Sequence, residues 1–154
     1  MRGIVAALLL AITTVLATGC GSSSSGNNTV RVTPDGTGGY VTVGKSGVAL
    51  SADAGTTTQD TLLSASLITD ATAVGAPFAG SDTFITGLQF GSSITPLARP
   101  VDFQIPLPSA IPVGSAITVF ELGPSGFAPV AVTNSAGTFV PFAINHTGTF
   151  VFAT

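Results

Sequence analysis

Val101-Asp102-Phe103-Gln104-Ile105-Pro106-Leu107 alternates apolar and polar residues from end to end. In an extended chain successive side chains point to opposite faces, so Val101, Phe103, Ile105 and Leu107 share one face. That face belongs in a core, and Asp102, Gln104 and Pro106 belong in solvent. The same period of two recurs in Phe84, Thr86, Leu88 and Phe90, which alternate with Ile85, Gly87 and Gln89. It recurs in Val140, Phe142 and Ile144, in Phe150 and Phe152, and more weakly in Ala128, Val130 and Val132.

Between these runs stand turn formers: Pro34-Asp35-Gly36, Gly44-Lys45-Ser46-Gly47, Gly91-Ser92-Ser93, Pro108 to Gly114, Gly123-Pro124-Ser125-Gly126 and Ser135-Ala136-Gly137. Short strands punctuated at intervals of about ten residues predict an all-β, antiparallel β-sandwich of about eight or nine strands. Thr61 to Thr69 fits either a strand or a short helix. Pro106, Pro129 and Pro141 interrupt strand-like runs; proline donates nothing to a ladder, so each is expected at a sheet edge or a bulge.

The chain opens Met1-Arg2-Gly3 and continues uncharged from Ile4 to Ala17. A cationic start followed by a mid-length apolar run reads as a secretory signal peptide. It is too short for a spanning helix, which needs about 20 apolar residues. The run ends in Ala17-Thr18-Gly19-Cys20, which resembles the lipobox of bacterial lipoproteins. In that family a diacylglyceryl thioether forms on the cysteine and cleavage follows just before it. Ala17 occupies the position where the family favours leucine; here the leucine is Leu16.

Cys20 is the single cysteine, so no intrachain disulfide accounts for it. Gly21, four serines, Gly26, Asn27 and Asn28 follow it, a flexible composition. The organisation expected is therefore a signal peptide over 1–19, a lipidated Cys20 with its tether over 20–29, and a β-sandwich domain over 30–154. Nine residues of tether reach about 15–18 Å, which keeps the domain near the bilayer. Gly21 after the cysteine resembles lipoproteins sent to an outer membrane, in a cell that has one. The location expected is the cell envelope, at its periplasmic face or its surface.

Composition narrows the partners. Only 7% of the residues are charged. Loss of Arg2 with the signal leaves three basic residues (Arg31, Lys45, Arg99) against seven acidic ones. No basic patch for nucleic acid can form from three dispersed cations. Membrane attachment must come from the lipid, not from electrostatics.

A second resemblance lies further along. Phe90, Ala98-Arg99-Pro100-Val101, Phe103-Gln104-Ile105-Pro106-Leu107, Ile111-Pro112-Val113-Gly114, the run Ile117 to Glu121 and the closing His146-Thr147-Gly148-Thr149-Phe150-Val151 carry it. Over roughly Gly44 to Phe152 the chain is similar to the β-sandwich module of zona occludens proteins, ankyrins and uncoordinated-type netrin receptors, which also occurs in bacterial envelope proteins. The resemblance implies an interaction or structural unit without catalytic residues. The partner domains found beside it in animals are not expected here, so their ligands are not expected to transfer.

Motifs with chemical meaning are few. Gly39-Tyr40-Val41-Thr42-Val43-Gly44-Lys45-Ser46 matches the P-loop letter for letter. A phosphate cradle needs a flexible loop running into a helix, however. The β-branched and aromatic insert favours a strand instead, and the expectation is a hairpin turn with no bound nucleotide. His146 is the single histidine, expected as a structural residue at the start of the last strand. Asp35, Asp53, Asp60, Asp70, Asp82, Asp102 and Glu121 are scattered, so neither a catalytic pair nor a zinc set is marked; calcium binding stays open. The triplets at Asn27 and Asn145 match the glycosylation pattern and carry no weight in a bacterial chain.

No cofactor, metal site or enzyme activity is therefore expected. The function expected is that of an envelope lipoprotein whose sandwich plays a structural or protein-interaction part. A carbohydrate- or peptidoglycan-binding module is the alternative; stacking platforms for sugars are scarce, with no tryptophan and only Tyr40. A small outer-membrane barrel is disfavoured by the abundant prolines and the lack of aromatic girdles. Metabolic labelling with palmitate is expected to mark the wild-type protein and leave Cys20→Ala unlabelled; label on the variant would refute the anchor.

Overall fold

The computed structural model describes residues 24, 25, 28–74 and 82–154. The expected signal peptide, Cys20 and much of the expected tether lie outside the described residues; Ser24 and Ser25, within the expected tether, form a short strand against the start of the sandwich. Among the described residues the chain is all-β, apart from one 3-10 turn at Ala71–Val74. Two antiparallel sheets pack face to face, as the alternation predicts.

The strands are β1 (Ser24–Ser25), β2 (Thr29–Val32), β3 (Val41–Thr42), β4 (Ala49–Ala52), β5 (Thr61–Ile68), β6 (Phe84–Ser92), β7 (Val101–Pro106), β8 (Ala116–Gly123), β9 (Gly126–Asn134), β10 (Phe139–Ile144) and β11 (Gly148–Ala153). Two of them, β1 and β3, span two residues each; the other nine agree with the expected eight or nine. The ambiguous stretch Thr61 to Thr69 is a strand. The larger sheet runs β1-β2-β5-β6-β11-β8-β9 and the smaller β10-β7-β4-β3.

The deciding stretch forms β7, an interior strand of the smaller sheet. Val101, Phe103 and Ile105 are fully buried, with Asp102 exposed between them. Phe103 meets Phe90 of β6 across the interface, edge to face, with ring centroids 5.0 Å apart. Val30, Leu50, Leu63, Leu88, Ile117, Val119, Phe150 and Phe152 complete a dry layer between the sheets. Phe142 of β10 closes it on one side, at 5.2 Å from Phe150 and 5.4 Å from Phe152.

The prolines divide. Pro141 lies in the edge strand β10, and Pro129 lies in the edge strand β9 next to a bulge. Pro106 corrects the expectation, because β7 is not an edge. The ladder to β4 ends at Gln104, two residues before Pro106, so the proline nitrogen there removes no bond on that side.

The last strand holds a second correction. Phe150 and Phe152 face the core as expected, but Val151 and Ala153 are also fully buried. β11 is central in its sheet, flanked by β6 and β8. Val151 pairs with Phe120, which is 8% exposed, so both share the outward face of the larger sheet. That face is covered at its middle.

The P-loop-like stretch is the β3–β4 hairpin. Val43 donates its amide to the Val48 carbonyl at 2.8 Å, and Ser46 Oγ donates to the Val43 carbonyl at 2.7 Å. A strand follows it rather than a helix, so no helix N-terminus faces the loop. Gly44 has its own structural reason. Its φ is +55°, and a Cβ there would stand 2.7 Å from the Asn28 backbone nitrogen. The hairpin is thus pressed against the start of β2, closing that side of the sandwich.

The 3-10 turn is capped by Asp70, whose carboxylate accepts the Thr72 amide at 2.8 Å. That bond, helped by the Thr72 hydroxyl, holds the Asp70 carboxyl below the usual carboxylate range. The cap is therefore complete above the ordinary carboxylate range and is lost as pH falls through the lowered value.

Phe103→Ala is expected to cost about 3–5 kcal/mol, much of a small domain's stability. Denaturant unfolding of the variant measures it; a loss under 1 kcal/mol would contradict the interface described.

Candidate functional site

The two sheets do not close equally on both sides. β9 and β10 are free edges of their sheets, and they meet where Thr133 Oγ1 donates to the Pro141 carbonyl at 2.7 Å. Away from that bond they part. The cause is a bulge in β9: Val119 pairs with Ala131 and Phe120 with Pro129, leaving Val130 without a partner residue. An extra residue bends and twists the strand, and here it opens a cleft of about 300 Å³.

Phe142, Ile144 and Phe150 form the apolar floor, and Val130 and Ala131 form the β9 wall. Glu121, Asn145 and His146 stand at the rim with Pro100. Glu121 lies directly opposite Phe150 in the β8–β11 ladder, so it shares the inner face, where β8 leaves the core. His146 comes from the turn between β10 and β11. Its Nε2 lies 2.9 Å from Glu121 Oε1, and its ring meets Phe150 edge to face at 5.9 Å. Asn145 Oδ1 is 3.4 Å from His146 Nδ1.

Gly148 makes this corner possible. A Cβ there would stand 2.8 Å from Phe150 Cζ and 3.1 Å from Glu121 Oε1. Any larger residue would push the ring and the carboxylate apart.

His146 does sit just before the last strand, as expected, but it is half exposed and paired. Its partner Glu121 lies 25 residues earlier, on another strand. The other acidic residues do not converge here. Asp60 pairs with Arg31 on the surface, and Asp102 is exposed on β7. Among the described residues no three His, Cys, Asp or Glu side chains gather as a metal cage. A carboxylate–imidazole pair beside an apolar cleft can hold a cationic or hydrogen-bonding group and bury its apolar neighbour.

The β9 strand contradicts one sequence expectation. Ala128, Val130 and Val132 do not face a core. Val130 is 51% and Val132 68% exposed, and Leu122 at the end of β8 is 43% exposed. The β8–β9 hairpin carries its apolar residues into solvent.

A smaller notch of about 120 Å³ opens at the other end of β7, lined by Leu67, Ile85, Thr86 and Pro106 to Pro108. It has no charged group in its wall.

Compared with known proteins, the sequence matches no family model and no curated protein. Among the described residues no helix is long and apolar enough to cross a membrane.

His146→Ala is expected to change stability by less than about 1 kcal/mol, because the pair is partly exposed at the rim of the cleft. Gly148→Ala is expected to cost more, about 1–3 kcal/mol, through overpacking against Phe150. Thermal unfolding of the two variants checks the order; the reverse order would show that the pair, not the close approach, holds this corner.

Proposed function

We propose that the chain is a membrane-anchored cell-envelope lipoprotein whose β-sandwich acts as a structural or protein-interaction module. The lipobox-like Ala17-Thr18-Gly19-Cys20 and the Ser/Gly tether support the anchor. The resemblance over Gly44 to Phe152 to a known interaction module supports the role. The single observation that carries it is the exposed apolar strand β9. An edge strand with bare valines is ordinarily a liability that proteins cover or charge. This one carries no charged residue from Gly126 to Asn134. Such a surface is spared from aggregation when a partner covers it.

Topology favours the same reading. β1, which lies within the expected tether, and β9 are opposite edges of the larger sheet. Six strand spacings of about 4.8 Å separate them by about 29 Å along the sheet. A module tethered at β1 presents β9 away from its own anchor, and the bilayer is then a poor candidate for its partner.

The alternative, a carbohydrate or peptidoglycan ligand, has one observation in its favour: Tyr40 is 51% exposed ahead of β3 and offers a stacking face. It is a lone platform on the far side from the cleft.

A photo-crosslinker placed at Val132 in intact cells is expected to capture a protein partner. With the crosslinker at position 132, Val130→Asp and Leu122→Asp are expected to abolish capture while shifting stability by less than about 1 kcal/mol. Capture of nothing from Val132, with glycan-array binding that depends on Tyr40, would replace this reading by the alternative.

A further inference from the structure

We propose that the β9–β10 cleft binds an extended peptide segment of the protein partner, one that presents a basic side chain two residues from a bulky apolar one. The proposal rests on the interaction reading above and assigns its site and the chemistry of its ligand.

Three features define the occupant. The first is shape. The cleft lies between two edge strands, β9 and β10, and a sheet edge is where an extended chain is added. Its volume of about 300 Å³ sits at the low end for ligand pockets, which suits one or two side chains rather than a folded element.

The second is the pattern of polarity. Phe142, Ile144, Phe150 and Val130 form an apolar trough, with the Glu121 carboxylate at its rim. Residues i and i+2 of an extended chain point to the same side. An apolar residue can therefore fill the trough while a basic one two places along reaches Glu121.

The third is charge. Glu121 and His146 are the ionisable side chains in the cleft wall. Arg99, next to the wall residue Pro100, directs its Nε to within 3.8 Å of where a Cβ on Gly55 would stand, and Arg99 is not part of the wall. His146 holds Glu121 Oε1 at 2.9 Å from a half-exposed position, so an incoming ammonium or guanidinium competes with the imidazole for the carboxylate. An acidic ligand would meet Glu121 head on.

The chain's own tether does not qualify as the occupant. Processed at Cys20, it would have four residues ahead of β1, which span at most about 14 Å. The cleft lies at the opposite edge of the sheet, about 29 Å away.

The test uses the full chain in a nonionic detergent and a fluorescein-labelled peptide, Ser-Phe-Ser-Lys-Ser, read by anisotropy. Saturable binding is expected, and the peptide with glutamate in place of lysine should bind at least about fivefold more weakly, the scale of one charged contact at a half-exposed site. Glu121→Gln should weaken the lysine peptide by a similar factor and leave the glutamate peptide no weaker. Ala131→Trp, which fills the trough from an exposed wall position, should abolish binding of both. Leu62→Ser, on the far part of the larger sheet, should change nothing, and thermal melts of each variant confirm that it folds.

Equal binding of the two peptides, no saturation, or indifference to both Glu121→Gln and Ala131→Trp would overturn the assignment. If the crosslinker at Val132 still captures a partner in that event, the interaction role survives and only this site falls. If neither experiment gives binding, both fall together.

Discussion

The contact between Phe103 and Phe90 is the hinge of the architecture. Each ring comes from the middle of its sheet, and the edge-to-face pair sets how the two sheets lie on one another. With only 7% of residues charged, salt bridges contribute little. The described ion pairs, Arg31 with Asp60 and His146 with Glu121, lie on the surface. Cohesion must therefore come from apolar area removed from water between the sheets. The aromatic rings of Phe90, Phe103, Phe142, Phe150 and Phe152 contribute the largest single shares of that area.

From this constraint follows the asymmetry that makes a site. One side of the sandwich is sealed by the β3–β4 hairpin, pressed onto Asn28 at a position where only glycine fits. The other side is pinned where Thr133 bonds the Pro141 carbonyl, and then spread by the bulge at Val130. Phe142 fills part of the gap and becomes the floor of the cleft. The same core that holds the sheets together thus ends in an apolar trough, and Glu121 and His146 stand where β8 and the β10–β11 turn leave that core.

Much of the fold was legible because the signal is local. A period of two over Val101 to Leu107 needs no knowledge of neighbours, and turn residues mark where each run stops. β9 was misread for a reason of the same kind. Ala128, Val130 and Val132 have the periodicity of a half-buried strand, but periodicity does not say whether a strand is central or at an edge. β11 was underestimated in the opposite sense, since a strand flanked on both sides buries Val151 as well as Phe150. Residue type places Pro106 at an edge or a bulge, whereas its tolerance depends on where the β4 ladder ends.

The sequence by itself determined the strand pattern, the two-layer class, the near absence of charge and the candidate lipid attachment at Cys20. Each of these depends on residues adjacent in the chain or on totals over it. Only the tertiary structure decided that Glu121 meets His146, that Gly148 must be small to allow it, and that Val130 opens a cleft. These depend on strand order and register, which bring together residues far apart in sequence. A lone histidine and a lone glutamate carry no local mark of their pairing, because the energy that pairs them comes from the packing of the strands beneath.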